Sequence, residues 1–233
     1  GNGYVGNLDL KPEVAHTLSL AANWHDARQT TWGVRVAPYY TRVSDFIDAR
    51  CRPGTTCAVD KFNVLQYVNQ DARLYGFDLS GQAWLAGSPA LGDLTLRGVL
   101  NYTRGENRDT GDNLYNIMPL NATLTLTHKW GEWGAALEWV VVKAKNDVSA
   151  VRNEVATPGY GLLNLRASYS WPKLRLDFGV ENLLDKFYTL PLGGAYLGQG
   201  TTMTTSPVGS VPRWGQAVPG MGRSIYAGVT VKF

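Results

Sequence analysis

The chain has no apolar run near the 18 or so residues that a membrane-spanning helix needs. The best candidate, LEWVVV at residues 137–142, stops at Lys143 and Lys145. A helical membrane protein is therefore excluded. Histidine is scarce: His16, His25 and His128 lie far apart, and none forms a recognisable nucleophilic pattern with Ser, Cys or a carboxylate. With no Walker loop and no dinucleotide fingerprint, the sequence predicts no enzyme, no resident metal and no cofactor. The formal charge of +3 comes from scattered residues. Without a basic run to track phosphates, nucleic acid is not an expected partner. The opening GNGYVGNLDLKPE has neither a basic stretch nor an apolar core, so no signal peptide is expected there. The chain reads either as a mature product or as a piece of something longer.

Only two cysteines occur, both in CRPGTTC, where Pro53 and Gly54 supply the turn that brings Cys51 and Cys57 within bridging distance. A disulfide is the preferred reading and places this loop outside the cytoplasm. Two reduced thiols are the alternative, and a zinc site lacks its third and fourth ligands.

What the sequence does have is alternation. Period-two patterning resolves about nine strands, and helical periodicity is hard to find, so the fold class is all-β. The expected strands run through Leu18–Trp24, Trp32–Tyr40, Tyr75–Leu85, Leu94–Thr103, Ala122–Thr127, Trp133–Val141, Leu163–Ser170, Leu174–Glu181 and Ser224–Phe233. Alternation alone fits a soluble carbohydrate-binding sandwich as well as a membrane barrel. Two further patterns separate them. The connections alternate between short (DARQT, GSPALGD, GE, PK) and long (residues 47–63, 106–120, 146–161, 190–222), so antiparallel neighbours would place all short turns at one end. Trp24, Trp32, Trp130, Trp133 and Trp171 flank those short turns, with Phe233 at the same level. Rings gathered at one height form the aromatic girdle of a membrane interface. The final strand keeps Ile225, Ala227, Val229, Val231 and Phe233 on one face, as a lipid-facing strand must.

With these features in view, GNLDLKPE at 6–13, LYGFDLSGQAWL from 74, GVENLLDKFY at 179–188 and PGMGRSIYAGVTVKF at the end resemble the C-terminal part of TonB-dependent outer-membrane receptors. The resemblance implies a 22-stranded antiparallel transmembrane barrel closed by an N-terminal plug. It also implies import of scarce nutrients, most often iron siderophores or other metal complexes, with energy delivered through TonB, in the outer membrane of a Gram-negative bacterium. Residues 1–233 would be the C-terminal portion of that barrel, without the plug domain or the segment that touches TonB. Nine strands is odd, where single-chain bacterial barrels have an even number. Implied partners are the TonB complex, the plug, a metal chelate or other small ligand, outer-membrane lipid, and the barrel-assembly machinery through the last strand. A passive porin or an adhesin-anchoring barrel is the alternative.

Under this reading Arg35, Asp78, Arg97, Glu138, Arg166, Arg175, Asp177 and Glu181 face the lumen. Ligand recognition falls to the long loops. In the last loop Tyr196, Gln199, Met203, Arg213, Trp214 and Met221 are candidates, and Arg108 and Tyr115 form a second group. Arg and aromatic side chains suit an anionic aromatic chelate, and Met203 with Met221 suits copper(I). The LKPE element is read as structure, Pro12 enforcing extended backbone and Lys11 and Glu13 facing solvent. Where alternation slips at Leu183–Leu184, beside Asn182, a bulge is expected.

Overall fold

A computed structural model describes residues 2–58, 61–195 and 215–232. Eleven strands form one sheet: β1 (Asn2–Val5), β2 (Val14–Ser19), β3 (Ala22–His25), β4 (Trp32–Cys51), β5 (Asn63–Ser88), β6 (Gly92–Asn107), β7 (Asn121–Trp130), β8 (Trp133–Val142), β9 (Tyr160–Ser170), β10 (Leu174–Glu181) and β11 (Ser224–Val231). The order runs β11-β10-β9-β8-β7-β6-β5-β4-β2, every neighbour antiparallel, with β3 also on β4 and β1 parallel to the top of β5. The all-β antiparallel expectation holds, but the count of nine was low by two.

One extra strand is an interruption. Leu18 pairs with Tyr40 and Ala22 with Val36, the same register on either side of Leu20 and Ala21. Between them the Leu20 N–H donates to the Pro38 carbonyl at 3.1 Å, and Pro38 has no N–H to return the bond. The expected first strand is thus one ribbon with a missing rung. The other addition, β1, pairs Asn2–Val5 with residues 63–66.

Register places the two chemistries on opposite faces. Val34, Leu79, Leu100, Leu124, Leu137, Leu165, Phe178 and Ala227 lie on one face through direct cross-strand partners or the alternation along each strand. Arg35, Gln82, Arg97, Thr125, Glu138, Asn164, Arg166, Asp177 and Thr230 lie on the other. Arg166 bonds Glu138 at 3.2 Å and Arg175 bonds Asp177 at 2.8 Å on that polar face. Among the described residues no second layer covers the apolar face: Leu176 is 41% exposed, Val229 65% and Leu18 71%. The chain exposes 14,892 Å², whereas a compact soluble chain of its mass exposes about 10,000 Å². A sandwich would have buried one face as core. This sheet instead offers that face to a hydrocarbon solvent.

Along β4 the apolar face reads Trp32, Val34, Val36, Pro38, Tyr40, and Tyr40 pairs with Tyr75. Eight residues of tilted strand between Trp32 and Tyr40 rise about 20 Å, close to the roughly 25 Å apolar band of an outer-membrane barrel. At the short-turn end Trp130 pairs with Trp133, and Trp133, Tyr169 and Trp171 meet edge to face at 4.7 and 4.4 Å. Phe233 lies outside the described residues. Above Tyr40 and Tyr75, β4 and β5 run on far past the apolar band, and here most of the buried apolar residues collect: Val43, Ala49, Leu65, Ala72 and Leu114, with Val142 and Val180 at the ends of β8 and β10.

The bulge expected near Asn182 is not one. Asn182 takes a left-handed φ of 50° just after β10, and its carbonyl accepts the Asp185 N–H, which makes a turn. Its side chain, 3% exposed, bonds Lys186 and Met221 and so ties the strand end to the chain returning into β11. True register shifts occur at Val43/Phe46 and Trp84/Ala86. LKPE is structural as expected: the Lys11 N–H donates to the Asn69 side-chain oxygen and its carbonyl accepts from the Asn69 side-chain NH₂, and Glu13 accepts the Ile47 N–H at 2.6 Å.

The turn from β3 to β4 is organised by Asp26, whose carboxylate accepts the N–H groups of Arg28, Thr31 and Trp32 at 3.0–3.2 Å. Desolvation pushes its pKa up, but the amides of Thr31, Trp32, Thr30 and Arg28 outweigh it and hold it at about 2 rather than 3.8. A depressed carboxylate contributes stability that is complete above pH 3.8 and is lost as pH falls through about 2. A carboxyl-carbon NMR titration should therefore place the Asp26 midpoint near 2, and a midpoint near 4 would contradict the capped turn. In the full-length receptor, Leu137→Arg should cost roughly 2–4 kcal/mol in vesicle unfolding, while Thr125→Arg on the polar face of neighbouring β7 should cost almost nothing. Equal costs would mean the faces are misassigned.

Candidate functional site

Four loop segments pack on the upper ends of β4, β5 and β6 and form a cap at the long-loop end. Its apolar seed is Val43, Ala72 and Leu114, with Phe46, Leu74 and Ile117 against them. Gly105 permits this approach, since a Cβ there would meet Leu114 and Ile117 at 3.0–3.2 Å. The remainder is polar. Asn107, buried, donates to Asp48 at 3.0 Å and to Gln70 at 2.9 Å. Asp112 accepts the N–H groups of Ala150 and Val151 at 3.0 and 3.1 Å, linking the β6–β7 and β8–β9 loops. Glu154 accepts the Asn116 and Ser149 amides and pairs with buried Lys145, whose ammonium also donates to the Pro191 carbonyl at 3.1 Å.

Arg152 is the hub. Its guanidinium bonds Asp48 at 3.1 Å, stands over the ring of Tyr115 at 5.1 Å, and lies 5.7 Å from the rings of Tyr4 and Tyr67, themselves stacked at 5.4 Å. Its carbonyl accepts from Asn2 at 2.6 Å. Four remote stretches thus meet at one cation. Burial, reinforced by Glu154, raises the Tyr115 hydroxyl above its ordinary pKa, so it is a neutral phenol at physiological pH. The cavity beside it, lined by Tyr4, Tyr115, Arg152, Glu154 and Pro191, holds only about 100 Å³. Small-ligand pockets run to roughly 300–1,000 Å³.

The expected site residues are therefore distributed as follows. Tyr115 is in the cap with its ring against Arg152. Arg108 is exposed at the rim, its backbone N–H bonded to the Asp71 carbonyl at 2.7 Å, and it does not join Tyr115. Met221 is exposed and near Asn182 through its carbonyl. Tyr196, Gln199, Met203, Arg213 and Trp214 lie outside the described residues. Cys51 and Cys57 form the expected disulfide, Cα–Cα 5.9 Å. Among the described residues no group of three His, Cys, Asp or Glu side chains could hold a metal. Arg152, Asp48 and Lys145 were missed: the partners of Arg152 lie up to 150 residues away, and no local pattern marks such pairs.

This architecture defines a one-layer segment of a membrane barrel wall with a polar loop cap, and comparison with known proteins agrees. Residues 1–183 match the family model for the TonB dependent receptor-like β-barrel, and the chain belongs to that family. It is 30% identical over 211 residues to a heme/hemopexin utilization protein C of Haemophilus influenzae strain 86-028NP, covering 80% of this chain and 27% of that protein. Among solved structures it is similar to the copper transporter OprC (TM-score 0.78, 26% identity, 97% of this chain, 33% of that one). It shares the fold of the FrpB iron transporter of Neisseria meningitidis (TM-score 0.65, 16% identity, 99% of this chain, 32% of that one). The chain spans about a third or less of the length of these proteins. They are transport and utilization proteins, not enzymes.

Removing one member of the Arg152–Asp48 pair strands a charge at a site where the side chains are 12% and 5% exposed. Arg152→Ala should cost roughly 3–5 kcal/mol of local cap stability. Hydrogen exchange should speed up across residues 143–159 and 2–5 while β7–β10 keep their protection. Unchanged exchange in the cap would show that Arg152 is not its hub.

Proposed function

We propose that residues 1–233 are the C-terminal part of an outer-membrane receptor barrel of a Gram-negative bacterium that imports an iron chelate, with energy delivered through TonB. Haem is the first candidate, an iron siderophore the second. The observation that carries the reading is the match of the chain to the receptor barrel family, joined to the 30% identity with haem/hemopexin utilization proteins. A plug domain, the TonB complex, outer-membrane lipid and the barrel-assembly machinery, through the last strand, are the proposed partners. Arg108 and Tyr115 on the described cap, with Tyr196, Gln199, Met203, Arg213 and Trp214 of the last loop, are the proposed ligand contacts.

The chain's own chemistry narrows how it could hold haem. Its three histidines are in β2, β3 and β7, and none is in a long loop. An axial ligand from this part of the receptor would then be a Tyr or a Met. Tyr115 as a neutral phenol serves a carboxylate or a ring by hydrogen bonding and stacking; coordination of ferric iron would first need its proton removed. A second reading, copper, is favoured by the likeness to OprC at 26% identity, and the thioethers of Met203 and Met221 are the ligands it would use.

Uptake of labelled haem, ferric siderophores and copper by cells with and without the full gene tests these readings. The expected result is import of one iron chelate that needs the gene and stops when the proton gradient is collapsed. Import that ignores the gradient would replace the receptor with a passive porin, and gradient-dependent copper import alone would select the second reading.

A further inference from the structure

Far from the cap, a depression of about 560 Å³ opens over β3–β6 near the short-turn end. It is several times the cavity beside Tyr115 and falls within the roughly 300–1,000 Å³ of small-ligand sites. Two neighbouring rows of cross-strand partners supply its polar side chains. Asn23, Arg35 and Ser80 stand opposite one another in the first, and His25, Gly33, Gln82 and Arg97 in the second. Both rows belong to the polar face, with Arg35, Gln82 and Arg97 alternating against Val34, Gly81 and Gly98 on the other. Gly33 puts no side chain between His25 and Gln82, which leaves the floor open.

Two guanidiniums and no carboxylate line this depression. Arg35 and Arg97 are exposed, and neither belongs to an ion pair among the described residues. Arg97 reaches only Gln82, at 3.5 Å. The other arginines of the polar face differ: Arg166 holds Glu138 and Arg175 holds Asp177. Nearby acids are engaged elsewhere. Asp26 accepts the turn amides, Asp93 the Trp84 indole N–H at 3.2 Å, and Glu138 the Asn164 amide at 2.9 Å. Asp78, two residues along β5 from Ser80, pairs with neither arginine. Two strand spacings and two residues of rise put Arg35 and Arg97 about 12 Å apart at the backbone. Both long side chains can reach one ligand lying over Ser80 and Gln82, and each guanidinium suits a carboxylate in bidentate geometry.

We propose that Arg35 and Arg97 form an anion-binding station on the lumen wall for an imported iron chelate that carries two carboxylates, one at each guanidinium, on its way from the cap to the short-turn end. The inference rests on the proposed import of an iron chelate and narrows its chemistry: haem, with two propionates, fits this station, and copper(I) does not. Uptake of haem and of haem dimethyl ester, whose carboxylates are blocked, by cells carrying the full-length receptor tests it. Arg35→Gln with Arg97→Gln should slow haem uptake roughly ten-fold, while haem binding at the cell surface with the proton gradient collapsed stays unchanged. The wild type should carry the ester at that slowed rate, and the double variant should carry it no slower. Arg35→Lys with Arg97→Lys, which keeps the charge, should recover part of the haem rate. Normal haem uptake by the glutamine variant would overturn the proposal, as would an equal slowing of haem and ester. Gradient-independent entry of vancomycin into cells with the glutamine variant would overturn it too, by making the arginines a seat for the plug. A wild type that imports no haem would remove the haem reading and this station together, so the two failures are told apart.

Discussion

A peptide group in hydrocarbon has no water to fall back on, and this constraint organises the rest of the molecule. Each unpaired N–H or C=O there costs several kcal/mol, so strands that cross must be paired on both sides and run antiparallel through tight turns. Between its two edge strands, the path from β11 to β2 is that solution. Side chains then need only satisfy two solvents, oil on one face and an aqueous or protein-filled interior on the other. Period-two alternation follows without a hydrophobic core. Even the fault at Pro38 is handled in this way: the lost rung falls on a single residue pair and the register resumes unchanged.

The cap obeys different physics. Above the girdle of Tyr40 and Tyr75 the strands no longer touch lipid, and the loops that close over them bury few apolar groups. Cohesion passes to charge-assisted bonds: Arg152 reaches back to Asp48 on β4, Lys145 and Glu154 close the β8–β9 loop on itself, and Asp112 of the β6–β7 loop accepts from two backbone amides and one hydroxyl of the β8–β9 loop. Such a network is specific in geometry but opens cooperatively when one member is displaced. A few exchangeable bonds thus hold the cap on the rigid strands beneath it.

The same division decides what could be read in advance. Where one face meets hydrocarbon, the alternation of Leu163–Ser170 or Ser224–Val231 is a direct print of the fold, and those strands were placed within a few residues. Where both faces are covered by loops or water, the print fades. The stretch YTRVSDFIDARC carries no clean period, so the upper half of β4 was invisible, as was β1, whose four residues find partners some sixty positions onward. The slip at Leu183–Leu184 comes not from a bulge but from a left-handed Asn182 ending the strand, which disturbs the alternation in the same way. The disulfide was legible from a seven-residue span. Tyr115 was legible as a loop aromatic, but the Arg152 hub was not, since a cation that collects three rings from distant segments leaves no local mark.

The central claim, that the apolar face touches acyl chains, is tested most directly by a nitroxide scan along β9 of the full-length receptor in lipid vesicles. Labels at Leu163, Leu165 and Ala167 should favour collision with oxygen, those at Leu162, Asn164 and Arg166 with a water-soluble nickel complex, in strict alternation. Protection of the first set from both quenchers, as inside a dry core, would contradict the membrane barrel.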